Sequence, residues 1–139
     1  MLRSLLLVVV LYFSPAHAAS PTTQQILNEV SSELVECSAY FNILSVADEN
    51  SNHLTRATGW KAIADHALDM ALVGTEAAGL KVETVEARLR MYLKEMADRI
   101  GMNTSNISIL MADYKDRCTE ALNEPEKRLA YWQQRLSRP

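Results

Sequence analysis

The strongest candidates for chemistry in this sequence are three polar residues of one predicted helix, Asp65, His66 and Asp69. His66 and Asp69 are three residues apart, so they share a helix face where a carboxylate and an imidazole could hold a metal ion or a proton. Two or three ligands from a single helix are too few for a closed metal site. We therefore expect these side chains to form an exposed polar face.

Methionine together with histidine could also bind haem in a helical protein. Methionine at helical spacing is more typical of a packed core than of haem ligation, so the sequence predicts no cofactor. A helical protein that binds a small ligand, a metal or haem through His66 and Asp69 remains the alternative function. A further alternative is an enzyme built from scattered carboxylates. The methionines available for ligation are Met70, Met91, Met96, Met102 and Met111.

The sequence lacks the short motifs that mark common catalytic and redox sites. It has no CxxC, no CxxCH, no HExxH, no GxSxG and no glycine-rich phosphate loop. The di-iron pattern of helical bundles needs paired Glu-x-x-His segments, whereas Asn50 precedes His53 at that offset and Ile63 precedes His66. We therefore expect a protein that is not an enzyme.

A candidate interaction surface lies near the carboxyl end, where Tyr131 and Trp132 stand among basic residues. Tryptophan, tyrosine and arginine are enriched in binding hot spots, so Tyr131, Trp132, Arg128 and Arg135 form a predicted surface for a protein partner. The alternative, which the sequence favours, is that Trp132 covers the core and Tyr131 is half exposed. The neighbouring basic residues then form a solvated helix face, or a patch for anionic lipid headgroups or an acidic partner.

Acidic residues outnumber basic ones in this chain, 17 to 14, and the formal net charge is −3. Removing Arg3 with a cleaved leader leaves 13 basic and 17 acidic residues, a net charge of −4. A nucleic-acid-binding protein needs a concentrated basic surface, so this balance argues against nucleic acid as a partner.

The first residues have the three-part layout of a secretory signal peptide. Arg3 supplies a positive charge, an apolar run extends over residues 5–13, and Ala16-His17-Ala18 offers a small-x-small cleavage site. A membrane-spanning helix needs about 20 apolar residues, so an uncleaved anchor is the weaker interpretation. We expect cleavage after Ala18, a single helical domain over residues 19–139 without a membrane span, and a periplasmic or secreted protein.

The two cysteines, Cys37 and Cys118, both follow the predicted cleavage site. An exported chain meets an oxidising compartment, where an even cysteine count indicates pairing. We therefore predict a Cys37–Cys118 disulfide, which closes a long loop and would stabilise the fold by up to about 4.5 kcal/mol in the chain-entropy model.

Two N-x-Ser sites, at Asn103 and Asn106, would accept N-linked glycan in a host that glycosylates exported proteins. The short leader is also compatible with bacterial export, and in that case the two sites carry no information.

Helices must position all of these residues, because apolar residues recur with a period near 3.6 almost throughout the chain and no strand pattern is evident. The first helix is expected to have Ser20 as its N-cap, Pro21 in its first turn and one apolar stripe. The second carries a face of small residues, from Ala57 to Ala78, that would let a neighbouring helix approach closely. The predicted helices cover about residues 21–48, 53–78, 82–100, 104–122 and 125–136.

Four long amphipathic helices with short connections predict an all-α, up-and-down four-helix bundle, with a short fifth helix folded back at the carboxyl end. The first and fourth helices would be antiparallel neighbours, which places Cys37 and Cys118 at similar depth. The expected protein is a small exported bundle with one interhelical disulfide. Its expected role is non-enzymatic binding of a protein partner, as an accessory, inhibitor-like, immunity-like or stress-related factor.

Overall fold

The computed structural model describes residues 21–138, and this part of the chain is all-α, without a strand. The predicted signal peptide and its cleavage site after Ala18 lie outside the described residues. The all-α fold with a short carboxyl-terminal helix is confirmed. Five helices follow one another: α1 (Thr23–Asn50), α2 (Leu54–Ala77), α3 (Glu83–Arg99), α4 (Ser108–Asn123) and α5 (Pro125–Leu136).

Two helix starts differ from the predictions. The N-cap of α1 is Thr22, not Ser20, because Thr22 and Gln25 form a capping box. The Gln25 amide donates to Thr22 Oγ1 over 3.1 Å, and the Thr22 amide donates to Gln25 Oε1 over 2.8 Å. Helix α4 begins at Ser108 because Thr104–Asn106 forms a separate 3₁₀ turn, which Asn103 caps.

Helix α1 lies at the centre of the molecule, and each of the other four helices packs against it. Between Ser31 and Ser45, 12 of its residues are buried. The single apolar stripe predicted for α1 therefore describes only part of its contacts, since Glu33, Ser38 and Tyr40 are buried outside that stripe. A helix with neighbours on all sides buries nearly its whole circumference.

Helices α1 and α2 approach closely through small residues, as predicted. The buried side of α2 consists mainly of alanines, which leave room for the backbone of α1. Gly74 marks the tightest point, because a Cβ atom added there would collide with Ser31 Oγ. The buried alanines of α2 are Ala57, Ala64, Ala67 and Ala71.

The predicted disulfide is confirmed and joins α1 to α4. The Cα atoms of Cys37 and Cys118 are 5.3 Å apart, and both side chains are fully buried. The bridge lies inside the core, where solvent does not reach it.

Within residues 21–138, none of the helices combines the length and the apolar composition that crossing a bilayer requires.

Candidate functional site

The predicted polar cluster on α2 does not converge on one point. Asp65, His66 and Asp69 are all exposed. Asp65 forms an ion pair with Lys61 and borders the groove between α2 and α3, whereas His66 borders the groove between α2 and α4. In the described part of the chain, no three histidine, cysteine or carboxylate side chains come together as a candidate metal site.

The four residues predicted as a partner surface divide into two pairs. Tyr131 and Arg135 are exposed on the outer side of α5, but Arg128 is only 8% exposed. Arg128 and the partly buried Trp132 point inward, and both donate hydrogen bonds to Glu33 of α1. Arg128 and Trp132 therefore fix α5 to the core, and only Tyr131 and Arg135 remain available to a partner.

The polar contacts around Glu33 form a buried unit, called the Glu33 cluster here, with Arg128, Trp132 and Glu120. Arg128 Nε and Nη2 donate to the two carboxylate oxygens of Glu33 over 3.1 and 2.6 Å. Trp132 Nε1 donates to Glu33 Oε2 over 2.9 Å, and Arg128 Nη1 donates to Glu120 of α4 over 3.1 Å. The cluster thus connects α1, α4 and α5.

Electrostatics in the Glu33 cluster favour the charged form of Arg128. Burial has the largest single effect and opposes the charge on its guanidinium, but the hydrogen bonds and negative charges of Glu33 and Glu120 together outweigh burial and raise the pKa of Arg128 above its ordinary value. Arg117 adds a longer contact to the same carboxylate, with its Nε 3.8 Å from Glu33 Oε1. The charge of Glu33 is compensated without solvent.

A second carboxylate cluster, the Asp48 cluster, lies where α1 turns into α2 and consists of Asp48, His53, Arg56 and Trp60. Arg56 Nε and Nη2 donate to the two oxygens of Asp48 over 3.0 and 2.6 Å. Trp60 Nε1 donates to Asp48 Oδ2 over 2.8 Å, and His53 Nδ1 lies 3.4 Å from Asp48 Oδ1. Hydrogen bonds from Arg56 above all, and from Trp60, lower the pKa of Asp48.

The indole ring of Trp60 lies at the centre of an open groove. It stacks on Phe41 of α1, with ring centroids 5.9 Å apart and an interplanar angle of 16°. Two adjoining hollows share Trp60 in their walls, one of about 400 Å³ and one of about 290 Å³. We call them together the α2–α4 groove, with α1 as the floor and α2 and α4 as the walls.

Apolar side chains line most of the α2–α4 groove, and polar groups mark its rim. The floor consists of Phe41 and Leu44 of α1. His66, Thr119 and Asn123 lie at one end, and Arg56 and Asp48 at the other. The groove exists because α2 and α4 both pack on α1 and make few contacts with each other. The apolar wall residues are Ile63, Ile107, Met111 and Leu122.

Sequence reasoning missed both Glu33 and the groove. Glu33 is one of three glutamates between residues 29 and 36 of α1, and no local pattern indicates that Arg128 reaches it from 95 residues away. Trp60 appears in the sequence as a residue beside the small face of α2. Its position in an open groove depends on how far α4 stands from α2.

Comparison with known proteins gives no relative: no family model, no curated protein and no solved structure matches this chain.

Proposed function

We propose that this protein is an exported, non-enzymatic binding protein that holds an amphipathic helix of a protein partner in the α2–α4 groove. The observation that carries the proposal is Trp60, which Asp48 and Phe41 fix in the centre of an open apolar groove. Apolar grooves of this kind are one of the recurring ways in which proteins bind helical segments of other proteins.

The length of the groove favours a helix over a compact ligand. Its two hollows lie toward opposite ends of α4, one lined by Ile107 and Met111 and the other by Thr119, Leu122 and Asn123. The stretch 107–123 measures about 24 Å at 1.5 Å per residue, or roughly four helical turns. Small residues on the α2 side also permit close approach. Ala62 lines the groove, and a Cβ atom added at Gly59 would meet nothing within 4 Å.

The Asp48 cluster gives the groove a fixed anchor. Trp60 already has its indole nitrogen hydrogen-bonded and its ring stacked on Phe41, so little side-chain freedom remains to be lost when a partner binds. Buried aromatic anchors in well-packed pockets supply much of the affinity in protein interfaces. A preorganised tryptophan on an apolar floor therefore suits a binding surface.

The exported location is part of the same proposal. A disulfide that persists indicates an oxidising compartment, and Cys37 and Cys118 form one in the core. The layout of residues 1–18 supports removal of a signal peptide after Ala18. We propose that the mature protein acts in the periplasm or outside the cell.

A second candidate function is binding of a small apolar ligand at the His66 end of the groove. The hollow there has a volume of about 400 Å³ and combines the apolar side chains of Phe41 and Leu122 with the polar side chain of His66. Pockets for small molecules commonly have volumes of roughly 300–1,000 Å³ and a few polar groups.

Site-specific photo-crosslinking tests the proposal. A benzoylphenylalanine placed at Ala62, in the groove, is compared with one at Met91, which is 52% exposed on α3. In cells of the native host, position 62 should link to one polypeptide through a helical segment, whereas position 91 should not. Attachment of a lipid or other small molecule at position 62 would support the second candidate. Equal labelling at both positions would contradict both.

A further inference from the structure

We infer that the outer face of α5 carries a carboxylate-binding site, formed by Tyr131, Gln134, Arg135 and Arg138, that takes an acidic segment of a protein. The site lies on a different helix from the α2–α4 groove, and the inference does not depend on the function proposed for that groove.

Tyr131, Gln134 and Arg135 share one side of α5 because Gln134 and Arg135 follow Tyr131 at the helical spacing of three and four residues, and Arg138 comes two residues after the helix ends at Leu136. They line one small hollow of about 60 Å³. Arg135 Nη1 donates to the Tyr131 hydroxyl over 2.7 Å, and Arg135 Cζ lies 5.5 Å from the centre of the Trp132 ring. The Arg135 guanidinium is therefore held in place rather than free to sweep through solvent.

The charges around this hollow favour an anion. Elsewhere in residues 21–138, Arg56, Arg99, Arg117 and Arg128 all bind carboxylates. Arg135 and Arg138 form no ion pair with a carboxylate of residues 21–138, although the chain as a whole is acidic. Two guanidinium groups that border one hollow repel each other, and a bound anion would relieve that repulsion.

The size and shape of the hollow favour a carboxylate. A volume of about 60 Å³ admits a small group such as a carboxylate and is well below the roughly 300–1,000 Å³ of pockets that hold drug-sized molecules. The planar fork of arginine binds such a group through two parallel hydrogen bonds.

The surroundings favour a protein segment over a membrane. Tyr131 and Gln134 also border a wide, shallow and open depression along α5, of about 630 Å³ and with Glu120 of α4 at its margin, that offers room for the chain carrying the carboxylate. Binding to anionic membranes typically uses clusters of four to eight basic residues, roughly, near the surface. Only Arg135 and Arg138 line the small hollow as cations, and Lys127 nearby already pairs with Glu124.

Titration of the oxidised mature protein tests the inference, with nuclear magnetic resonance as the readout. The probe is a blocked tetraglutamate peptide, and a blocked tetraglutamine peptide is its matched control. We expect the acidic peptide to shift the α5 resonances at low salt and the control not to shift them. Arg135→Gln or Arg138→Gln should weaken binding about tenfold, the loss of one strong ion pair. Arg90→Gln, an exposed change on α3, should leave binding unchanged.

Three outcomes would overturn the inference. The first is the absence of tetraglutamate binding, and the second is equal binding by the Arg135→Gln and wild-type proteins. The third is a protein that binds anionic phosphatidylglycerol vesicles, does not bind neutral phosphatidylcholine vesicles and does not bind the peptide. That result would assign the patch to lipid headgroups. Inorganic phosphate serves as a further arm within the first outcome: if phosphate shifts the α5 resonances and tetraglutamate does not, the hollow belongs to small anions.

Discussion

Two carboxylates of α1 hold the two tryptophans of this chain by the same chemistry. Glu33 accepts a hydrogen bond from Trp132 over 2.9 Å and binds Arg128, and Asp48 accepts one from Trp60 over 2.8 Å and binds Arg56. The two sites differ in burial. The Glu33 and Arg128 side chains are 2% and 10% exposed, whereas those of Asp48 and Arg56 are 15% and 61% exposed.

This difference in burial separates the structural role of the Glu33 cluster from the binding role proposed for the groove around Trp60. A buried carboxylate that loses its arginine is left as an uncompensated charge, which costs several kcal/mol. When one partner of a water-exposed ion pair is removed, the protein loses little stability, because solvent screens the remaining charge. The Glu33 cluster therefore holds α5 on the fold, and the Asp48 cluster can serve to orient Trp60 without being needed for stability.

Removing each arginine gives the largest expected contrast. Arg128→Met should destabilise the fold by about 3 kcal/mol, because Glu33 stays buried without its main partner. Arg56→Met should change stability little, because its partner Asp48 can be hydrated. Urea unfolding of the oxidised proteins measures both. Similar losses in the two variants would show that burial does not distinguish the clusters.

Close packing between α1 and α2 explains how α2 stays in place when the Asp48 cluster is weakened. Gly74→Ala should destabilise by about 1–2 kcal/mol, because its Cβ would collide with the buried Ser31 Oγ. Gly59→Ala, in the same helix but with open space around it, should stabilise by up to about 1 kcal/mol through helix propensity. Thermal unfolding monitored by circular dichroism compares the two variants.

The added change Ser31→Ala serves as the control for Gly74→Ala. It removes the colliding oxygen, which has no hydrogen-bond partner in the interface, so the double variant should recover most of the lost stability. Failure of this rescue would mean that contact between Gly74 and Ser31 does not set the distance between α1 and α2.

The smallest expected effect is a pH dependence at Asp48. Its pKa in the folded protein is lowered below the ordinary 3.8, so Asp48 contributes stability above the unfolded pKa. That contribution disappears as the pH falls through the folded pKa. The stability difference between the wild-type and Asp48→Asn proteins should therefore be complete near about pH 6 and vanish in strong acid.

Tryptophan fluorescence can follow the same titration at the indole. In a Trp132→Phe background only Trp60 emits, and its emission should change as the Asp48 carboxylate that accepts its N–H becomes protonated. Emission that stays constant down to the pH at which the protein unfolds would show that Asp48 does not control the environment of Trp60.

The fold could be predicted from the sequence because its signals are local. Apolar periodicity, Pro125 at the start of α5 and the alanine face of α2 gave the helices, and the two cysteines allowed one pairing. The capping of α1 was misplaced by two residues, because Ser20 and Thr22 are both suitable N-cap residues and only Thr22 has Gln25 three residues later.

The candidate sites could not be predicted because they depend on distances between helices. The sequence left open whether Trp132 covers the core or joins Arg128 in a partner surface. Hot-spot composition does not indicate which way a side chain points, and the buried acceptor Glu33 lies on another helix. The α2–α4 groove depends on a gap between two helices. No single residue in the sequence indicates that gap, because it follows from the positions at which α2 and α4 each pack on α1.

The most direct test of this account is the yield of the photo-crosslink from position 62 in two variants. Trp60→Ala removes the proposed anchor, and Trp132→Phe alters the other tryptophan while leaving the groove intact. The account predicts that Trp60→Ala abolishes the cross-link in protein that circular dichroism shows to be folded, and that Trp132→Phe retains it. Equal cross-linking in both variants would contradict the assignment of the binding role to Trp60.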